Sequence, residues 1–326
     1  MKSNGRIEWI DLCKIITMLI VCYDHVIQSI SFDYALKNNF FVGSISFHMP
    51  LFMLLSGYFI NLDKIRQTSL IKFCLSKFKH LMIPAFTWYL IQCILFTEMP
   101  ALKRAFESYW FLSCLFFCFC ILSICSKWIK NNELLLFSVC LITYVMPYAY
   151  FVKINFLIPF LCVGYWLRKR IVYLNWKFVL PIFIIYSILY QYWTFEDSVY
   201  ITPIRFNSID SVLPTSFTAI FRFIIAITGC LSILYICFFI TRWFPQNKLV
   251  RFLIDNGKYT LSIYVIHFVF IRYIGKFFEG TLSSDFCISI VLISVFVSIV
   301  IVVISLLISS LLRQNIYMKR ILLGEF

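Results

Sequence analysis

Charge is scarce in this sequence. Of its 326 residues only 13% are charged, whereas 62% are hydrophobic and 20% are aromatic. A soluble domain of this size needs a more highly charged surface, so the composition argues against a soluble protein. Residues 108–126 and 286–312 contain no charge, and each run is about as long as the roughly 20 residues that a membrane-spanning helix needs. The sequence therefore predicts an all-α, polytopic membrane protein.

Motifs of several soluble enzyme classes are also missing. There is no G-x-x-x-x-G-K-[ST] nucleotide loop, no G-x-S-x-G nucleophile turn and no H-E-x-x-H helix. Paired cytosolic carboxylates suited to a metal ion are absent, and no metal is expected. Most of the 13 cysteines lie inside apolar runs without C-x-x-C spacing, which favours a role in packing over disulfide formation.

Ten apolar runs are predicted to span the membrane, and the distribution of basic residues orients them. If the N-terminus is cytoplasmic, twenty of the 29 Lys and Arg residues fall in cytoplasmic segments, seven in outer segments and two inside spans. This asymmetry places both termini in the cytoplasm and accounts for the net charge of +14 without a nucleic-acid partner. The predicted spans lie near 9–31, 40–60, 81–97, 108–126, 133–151, 154–168, 178–193, 217–240, 259–275 and 286–312.

No linker rich in Gly, Ser or Pro divides the chain, so a single domain over residues 1–326 is predicted. The outer loop 194–216 mixes acids, hydroxyls and aromatics, which suits either a polar partner or a plain connector. The cytoplasmic segment 61–80 places five basic residues among apolar ones. It is typical of an amphipathic segment at the membrane surface, where it would bind anionic lipid or hold phosphates.

The first span carries ionisable side chains on one helical face. Lys14 and His25 lie within roughly 20° of each other on a helical wheel and about 16 Å apart along the axis, and Asp11 is close enough to pair with Lys14. Charged or titratable groups inside a bilayer are functional candidates, although a lone histidine can be purely structural. Asp24 is offset by about 100° from His25, so it is expected to meet another span.

Other candidates lie in later spans. In FHMPLFMLLSGYFI (47–60), His48 lies near the outer end at about the depth of His25, which indicates either a proton-handling pair or a coincidence. In the same run Ser56-Gly57 favours close helix packing. Arg222 would either snorkel to the interface or line an outward cavity, and His267 would either serve the site or hydrogen-bond another span.

Several segments together resemble a known family. The pattern R-x4-D-x2-K-x10-H from Arg6 to His25, followed by residues 47–60, resembles the opening of the acyltransferase-3 family of integral membrane acyltransferases. KFKHLMIPAF (77–86), YWFLSCLFF (109–117) and NGKYTLSIYVIH (256–267) resemble its later segments, in the expected order across nearly the whole chain. The family's basic-x10-His pair maps onto Lys14 and His25, with Lys14 where many members have arginine.

The resemblance implies a ten-helix domain in a bacterial inner membrane that uses cytoplasmic acyl-CoA, commonly acetyl-CoA, to O-acylate a carbohydrate. The acceptor would be a surface polysaccharide or a lipid-linked glycan, and transfer would be direct or through an acyl-histidine. A transporter or flippase for a lipid-linked glycan is the alternative. We assign catalysis to His25, His48 and Asp24, donor binding to Arg6, Asp11, Lys14, Lys77 and Lys79, and acceptor binding to Arg222, Trp110 and His267.

Overall fold

The computed structural model describes residues 7–145, 153–168, 176–201, 209–278 and 287–326. Within these ranges the regular structure is helical and contains no strand. The α-helices are α1 (Glu8–Ile30), α2 (Phe32–Lys37), α3 (Asn39–Tyr58), α4 (Leu62–Gln67), α5 (Leu70–Lys77), α6 (Ile83–Leu95), α7 (Leu102–Ser108), α8 (Trp110–Trp128), α9 (Asn132–Val145), α10 (Ile154–Leu167), α11 (Trp176–Tyr190), α12 (Val212–Trp243), α13 (Lys248–Asn256), α14 (Thr260–Phe278), α15 (Cys287–Leu312) and α16 (Ile316–Leu323).

The apolar helices confirm the all-α membrane architecture. In the described residues, six helical stretches are long and apolar enough to cross a membrane, and three shorter apolar helices accompany them. Helix α1 spans 23 residues but also carries Glu8, Asp11, Lys14 and Asp24. The count of ten spans stays a prediction, as does the orientation of the termini.

The third predicted span has a different start. Its helix begins at Leu70, not near residue 81, and passes through a π-helical turn at Phe78–Met82 into α6. Pro84 lies just after this turn, and its missing amide hydrogen interrupts the regular hydrogen-bond ladder. Much of the predicted surface segment 61–80 is therefore helical and continuous with α6.

The described chain forms two compact units, each assembled from several segments. Unit 1 comprises the described residues within 1–52, 174–195 and 225–314, and unit 2 comprises those within 53–173, 196–224 and 315–326. Because the segments of the two units alternate along the chain, no single linker separates them. The prediction of a single domain stays a prediction.

Unit 1 is built around α1, which packs against α2, α13, α14 and α15. Gly257, between α13 and α14, permits a close approach of this turn to α1, because a Cβ atom at Gly257 would collide with the backbone carbonyl of Asp11. The glycine of the segment NGKYTLSIYVIH thus has a packing role. It fixes the start of α14 against the helix that carries the acidic and basic side chains.

Unit 2 contains α4 to α10, with α8 contacting α4, α5, α9 and α10. One close helix contact of this unit is reciprocal. A Cβ atom at Gly57 would collide with the carbonyl of Leu161, and one at Gly164 would collide with the carbonyl of Leu54. The end of α3 and the middle of α10 can approach this closely only because both positions are glycine, as in small-residue helix contacts in membranes.

Candidate active site

Helix α1 presents the predicted ionisable stripe within unit 1. The ammonium nitrogen of Lys14 lies 3.4 Å from Oδ1 of Asp11, and the Asp11 side chain is buried. The ion pair offsets part of the cost of burying the Asp11 carboxylate, while Lys14 stays partly exposed. Arg6, the remaining donor-binding candidate in this part of the chain, lies outside the described residues.

Asp24 forms a buried acid–histidine pair with α3. Its side chain is 3% exposed, and the hydroxyl of Ser44 lies 2.8 Å from each carboxylate oxygen. Nδ1 of His48 lies 3.1 Å from Oδ2 of Asp24 and 2.9 Å from the backbone oxygen of Ser44. Because both of these oxygens are acceptors, Nδ1 of His48 carries a proton. In the neutral ring this leaves Nε2 as a proton acceptor.

His25 faces a different neighbour. Its ring centroid lies 5.6 Å from that of His267 and 4.9 Å from that of Phe268, both on α14. His267 is fully buried, whereas His25 is partly exposed. The step of about 100° between consecutive helical residues explains the arrangement, because it directs Asp24 toward α3 and His25 toward α14.

Unit 1 therefore brings together four of the predicted site residues, Asp24, His25, His48 and His267, in two adjacent pairs. The pairing of His267 with His25 could not be read from the sequence, because 242 positions separate them. The sequence did contain one indication that the start of α14 packs closely against another helix. The segment NGKYTLSIYVIH has a glycine there, and close packing is what requires the missing side chain. Three imidazoles and one carboxylate give this unit groups that accept and donate protons.

Unit 2 contains a basic pocket of about 430 Å³. Three of its lining residues, Lys64, Lys72 and Lys77, are lysines, and Lys79 is not among the lining residues. The ammonium nitrogen of Lys77 lies 4.0 Å from the centroid of the Phe119 ring, within cation–π range. The other lining residues are Ser56, Phe59, Ile60, Asn61, Ile65, Thr68, Phe73, Ser76 and Phe119.

Lys64 and Lys72 were not predicted as site residues. The signal for Lys72 was helical spacing in the segment 61–80, because Lys72 and Ser76 are four residues apart and share a face of α5. A cluster of cations, hydroxyls and an amide is suited to anionic oxygens such as those of phosphate. The pocket is therefore a candidate phosphate-binding site.

Arg222 lies further from the start of its helix than the predicted span 217–240 placed it. Its helix begins at Val212, so Arg222 is about 15 Å along the axis, and its side chain is only 1% exposed. The snorkelling and cavity-lining alternatives both stay predictions. Arg222 is a buried cation of unit 2, which keeps it a candidate for binding a polar or anionic group.

Trp110 belongs to an aromatic and cationic cluster in unit 2. The ammonium nitrogen of Lys153 lies 4.7 Å from the centroid of the Trp110 ring and 5.1 Å from the centroid of the Tyr200 ring. Burial lowers the pKa of Lys153, which immediately precedes α10. The cluster offers ring faces and one cation, a combination suited to the faces and polar edges of a sugar.

Among the described residues, no group of three or more histidine, cysteine, aspartate or glutamate side chains is arranged to hold a metal ion. The expectation that no metal takes part stays a prediction.

The fold and the site define a class: an integral membrane protein, all-helical where described, with a buried acid–histidine pair. The family model described as "Acyltransferase domain", that of the acyltransferase-3 family, matches residues 7–310, nearly the whole chain. The chain belongs to this family and is a membrane acyltransferase. No curated protein and no solved structure matches it significantly.

Proposed function

We propose that this acyltransferase moves an acyl group, commonly acetyl, from cytoplasmic acyl-CoA to a hydroxyl of a surface polysaccharide or lipid-linked glycan at a bacterial inner membrane. The observation that carries the proposal is the cluster of Asp24, His48 and His25 inside a membrane unit of an acyltransferase-family chain. Hydroxyl acylation needs a base that removes a proton as the new bond forms, and imidazole supplies one near neutral pH.

His25 is the proposed general base. It takes the proton of the acceptor hydroxyl while the hydroxyl oxygen attacks the thioester carbonyl carbon. When the tetrahedral intermediate collapses, the carbon–sulfur bond breaks and the thiolate of CoA leaves. The imidazolium of His25 then returns its proton to sulfur, so that the products are an ester and free CoA. The partial exposure of His25 supports this assignment over the fully buried His267.

His48 is the proposed proton-sharing partner. Its Nδ1–H points to Asp24, and a carboxylate in this position stabilises the imidazolium that forms when Nε2 accepts a proton. Ser44 supports the arrangement, because its hydroxyl donates to the same carboxylate. Asp24 thus acts by stabilising the protonated form of His48.

The basic pocket of unit 2 is the proposed phosphate-binding part of the donor site. Its lysines Lys64, Lys72 and Lys77 extend the predicted set that contained Lys77, Lys79, Lys14, Arg6 and Asp11. The hydroxyls and the amide that line it complement the cations, since phosphate oxygens accept several hydrogen bonds at once. This assignment predicts a defect in donor affinity when the charges are removed.

Changing Lys64 and Lys72 together to glutamine is expected to raise the KM for acyl-CoA by roughly 100-fold or more, because two charge-assisted hydrogen bonds of about 1.5–3 kcal/mol each are lost. The turnover number at saturating donor should change little. The matched control is Lys103→Gln, whose side chain is 75% exposed and lies outside the pocket. Steady-state kinetics with purified protein would measure both constants, and an unchanged KM in the double variant would contradict the assignment.

Acyl transfer itself is tested by supplying membranes that contain the protein with ¹³C-acetyl-CoA. We expect labelled glycans whose mass increases by one acyl group, with free CoA released in equal amount. Membranes without the protein provide the baseline. Glycan movement across the membrane without CoA release would instead indicate the transporter.

A further inference from the structure

His267 has one ring nitrogen that is satisfied and one that is not. Its Nδ1 lies 2.7 Å from the backbone oxygen of Tyr264 and 3.2 Å from that of Ile263. Its Nε2 is buried and has no hydrogen-bond partner among the described residues. A buried polar atom without a partner costs about 1–3 kcal/mol, so this position calls for an explanation.

The two carbonyl contacts determine the tautomer of His267. Carbonyl oxygens only accept hydrogen bonds, so Nδ1 must carry the proton. In the neutral ring Nε2 then carries a lone pair and acts only as an acceptor. The backbone of α14 supplies both carbonyls, which means that the helix itself fixes this state.

The location of His267 indicates what donates to that lone pair. His267 is fully buried, and the His25 ring lies beside it at a centroid separation of 5.6 Å. Phe268 flanks both rings, at 4.3 Å from His267 and 4.9 Å from His25. Two titratable donors lie beside the His267 ring, His25 and Tyr264, each at a centroid separation of 5.6 Å. Of these, His25 is the partly exposed one that a substrate hydroxyl can reach, whereas Tyr264 is buried.

We propose that His267 is a positioning residue that fixes the tautomer and orientation of His25. The inference rests on the proposed function of His25 as general base. During catalysis His25 directs its N–H to Nε2 of His267, which leaves its other nitrogen unprotonated toward the acceptor hydroxyl. When His25 gains a proton, the same contact stabilises the imidazolium. A neutral histidine here takes the orienting role that a carboxylate has in an acid–histidine pair.

Two substitutions separate this role from a structural one. The side-chain N–H of His267→Asn can keep the bond to the Tyr264 carbonyl but offers no acceptor at the position of Nε2. The side-chain oxygen of His267→Gln can replace the Nε2 acceptor but loses the bond to the carbonyl. We expect His267→Asn to lower the turnover number by about 10²-fold, as small misplacements of a catalytic group do, with KM unchanged. His267→Gln should retain more activity than His267→Asn.

A purely structural role predicts the reverse order, because His267→Asn preserves the helix contact. That order, or equal activity in both variants, would overturn the proposal. Melting temperatures and yields of the two variants in detergent establish whether differences in folding cause the order.

Nitrogen NMR of ¹⁵N-histidine-labelled protein gives a readout that does not need activity. The chain has only four histidines, so single variants assign their ring signals. We expect a pyridine-like Nε2 signal for His267, and its change in His25→Ala shows contact with His25. A protonated Nε2, or a signal indifferent to His25→Ala, would overturn the proposal. If the protein lacked acyltransfer to glycans, the expected NMR result would still stand, so the two failures are distinguishable.

Discussion

Replacing His25 with alanine is expected to lower the turnover number for acyl transfer by about 10²–10⁴-fold, the range that a general base contributes. The reason lies in the geometry of unit 1. His25 is the partly exposed imidazole of the cluster, and no other side chain on its face of α1 offers a titratable nitrogen near His267. Alanine is a good helix former, so α1 should persist. Turnover is measured as free CoA release with an acylatable glycan.

The control for this variant is His80→Ala. His80 belongs to unit 2, where its Nδ1 contacts the backbone oxygen of Ser76. It therefore tests the loss of a histidine outside the cluster. Turnover near the wild-type value in His25→Ala protein of normal yield would remove His25 from its proposed role, while the family assignment would stand.

The parts of the site that follow from one helix were predictable from the sequence. The pairing of Asp11 with Lys14 depends on a spacing of three residues, and the different directions of Asp24 and His25 depend on the helical step of about 100°. Such relations follow from helix geometry alone. They do not depend on how the rest of the chain packs around the helix.

Which helix meets each face was not predictable, because packing between distant segments determines it. Nothing local to Asp24 names His48 as its partner, although the two residues lie at similar depths. The same limit applies to the burial of Arg222, which depends on packing that the sequence does not show, and to the start of α12 at Val212. Apolar composition predicted that this span begins near residue 217. The helix starts earlier, because helical residues precede the apolar run and composition alone does not reveal them.

The donor pocket shows a third limit. Five basic residues in the segment 61–80 predicted a phosphate or lipid surface, yet the pocket uses Lys64 and Lys72 and not Lys79. The division depends on the breaks between α4 and α5 and on the π turn before Pro84. The positions of these breaks determine which lysine side chains line the same pocket. The number of basic residues in the segment contains no information about them.

Changing Asp24 to asparagine is expected to lower the turnover number by about 10²–10⁴-fold, since the same change in a comparable acid–histidine pair costs roughly 10⁴-fold. The carboxylate now accepts from Ser44 and from Nδ1 of His48. An amide carries no negative charge, so it cannot stabilise the imidazolium that forms when Nε2 of His48 accepts a proton. The backbone oxygen of Ser44 still holds Nδ1–H of His48, so the loss comes from the missing charge.

Two further variants make the Asp24 result specific. Asp33→Asn makes the same acid-to-amide change at an exposed position of α2 and should leave turnover unchanged. Ser44→Ala removes one donor to Asp24 but keeps the carboxylate and the backbone oxygen that contacts His48, so its loss should be smaller, about fivefold for a hydrogen bond worth roughly 1 kcal/mol. Because Asp24→Asn is nearly isosteric, insertion and melting temperature report whether the fold persists. Wild-type turnover in a folded Asp24→Asn protein would mean that His48 works without its carboxylate, and catalysis would then depend on His25 and His267 alone.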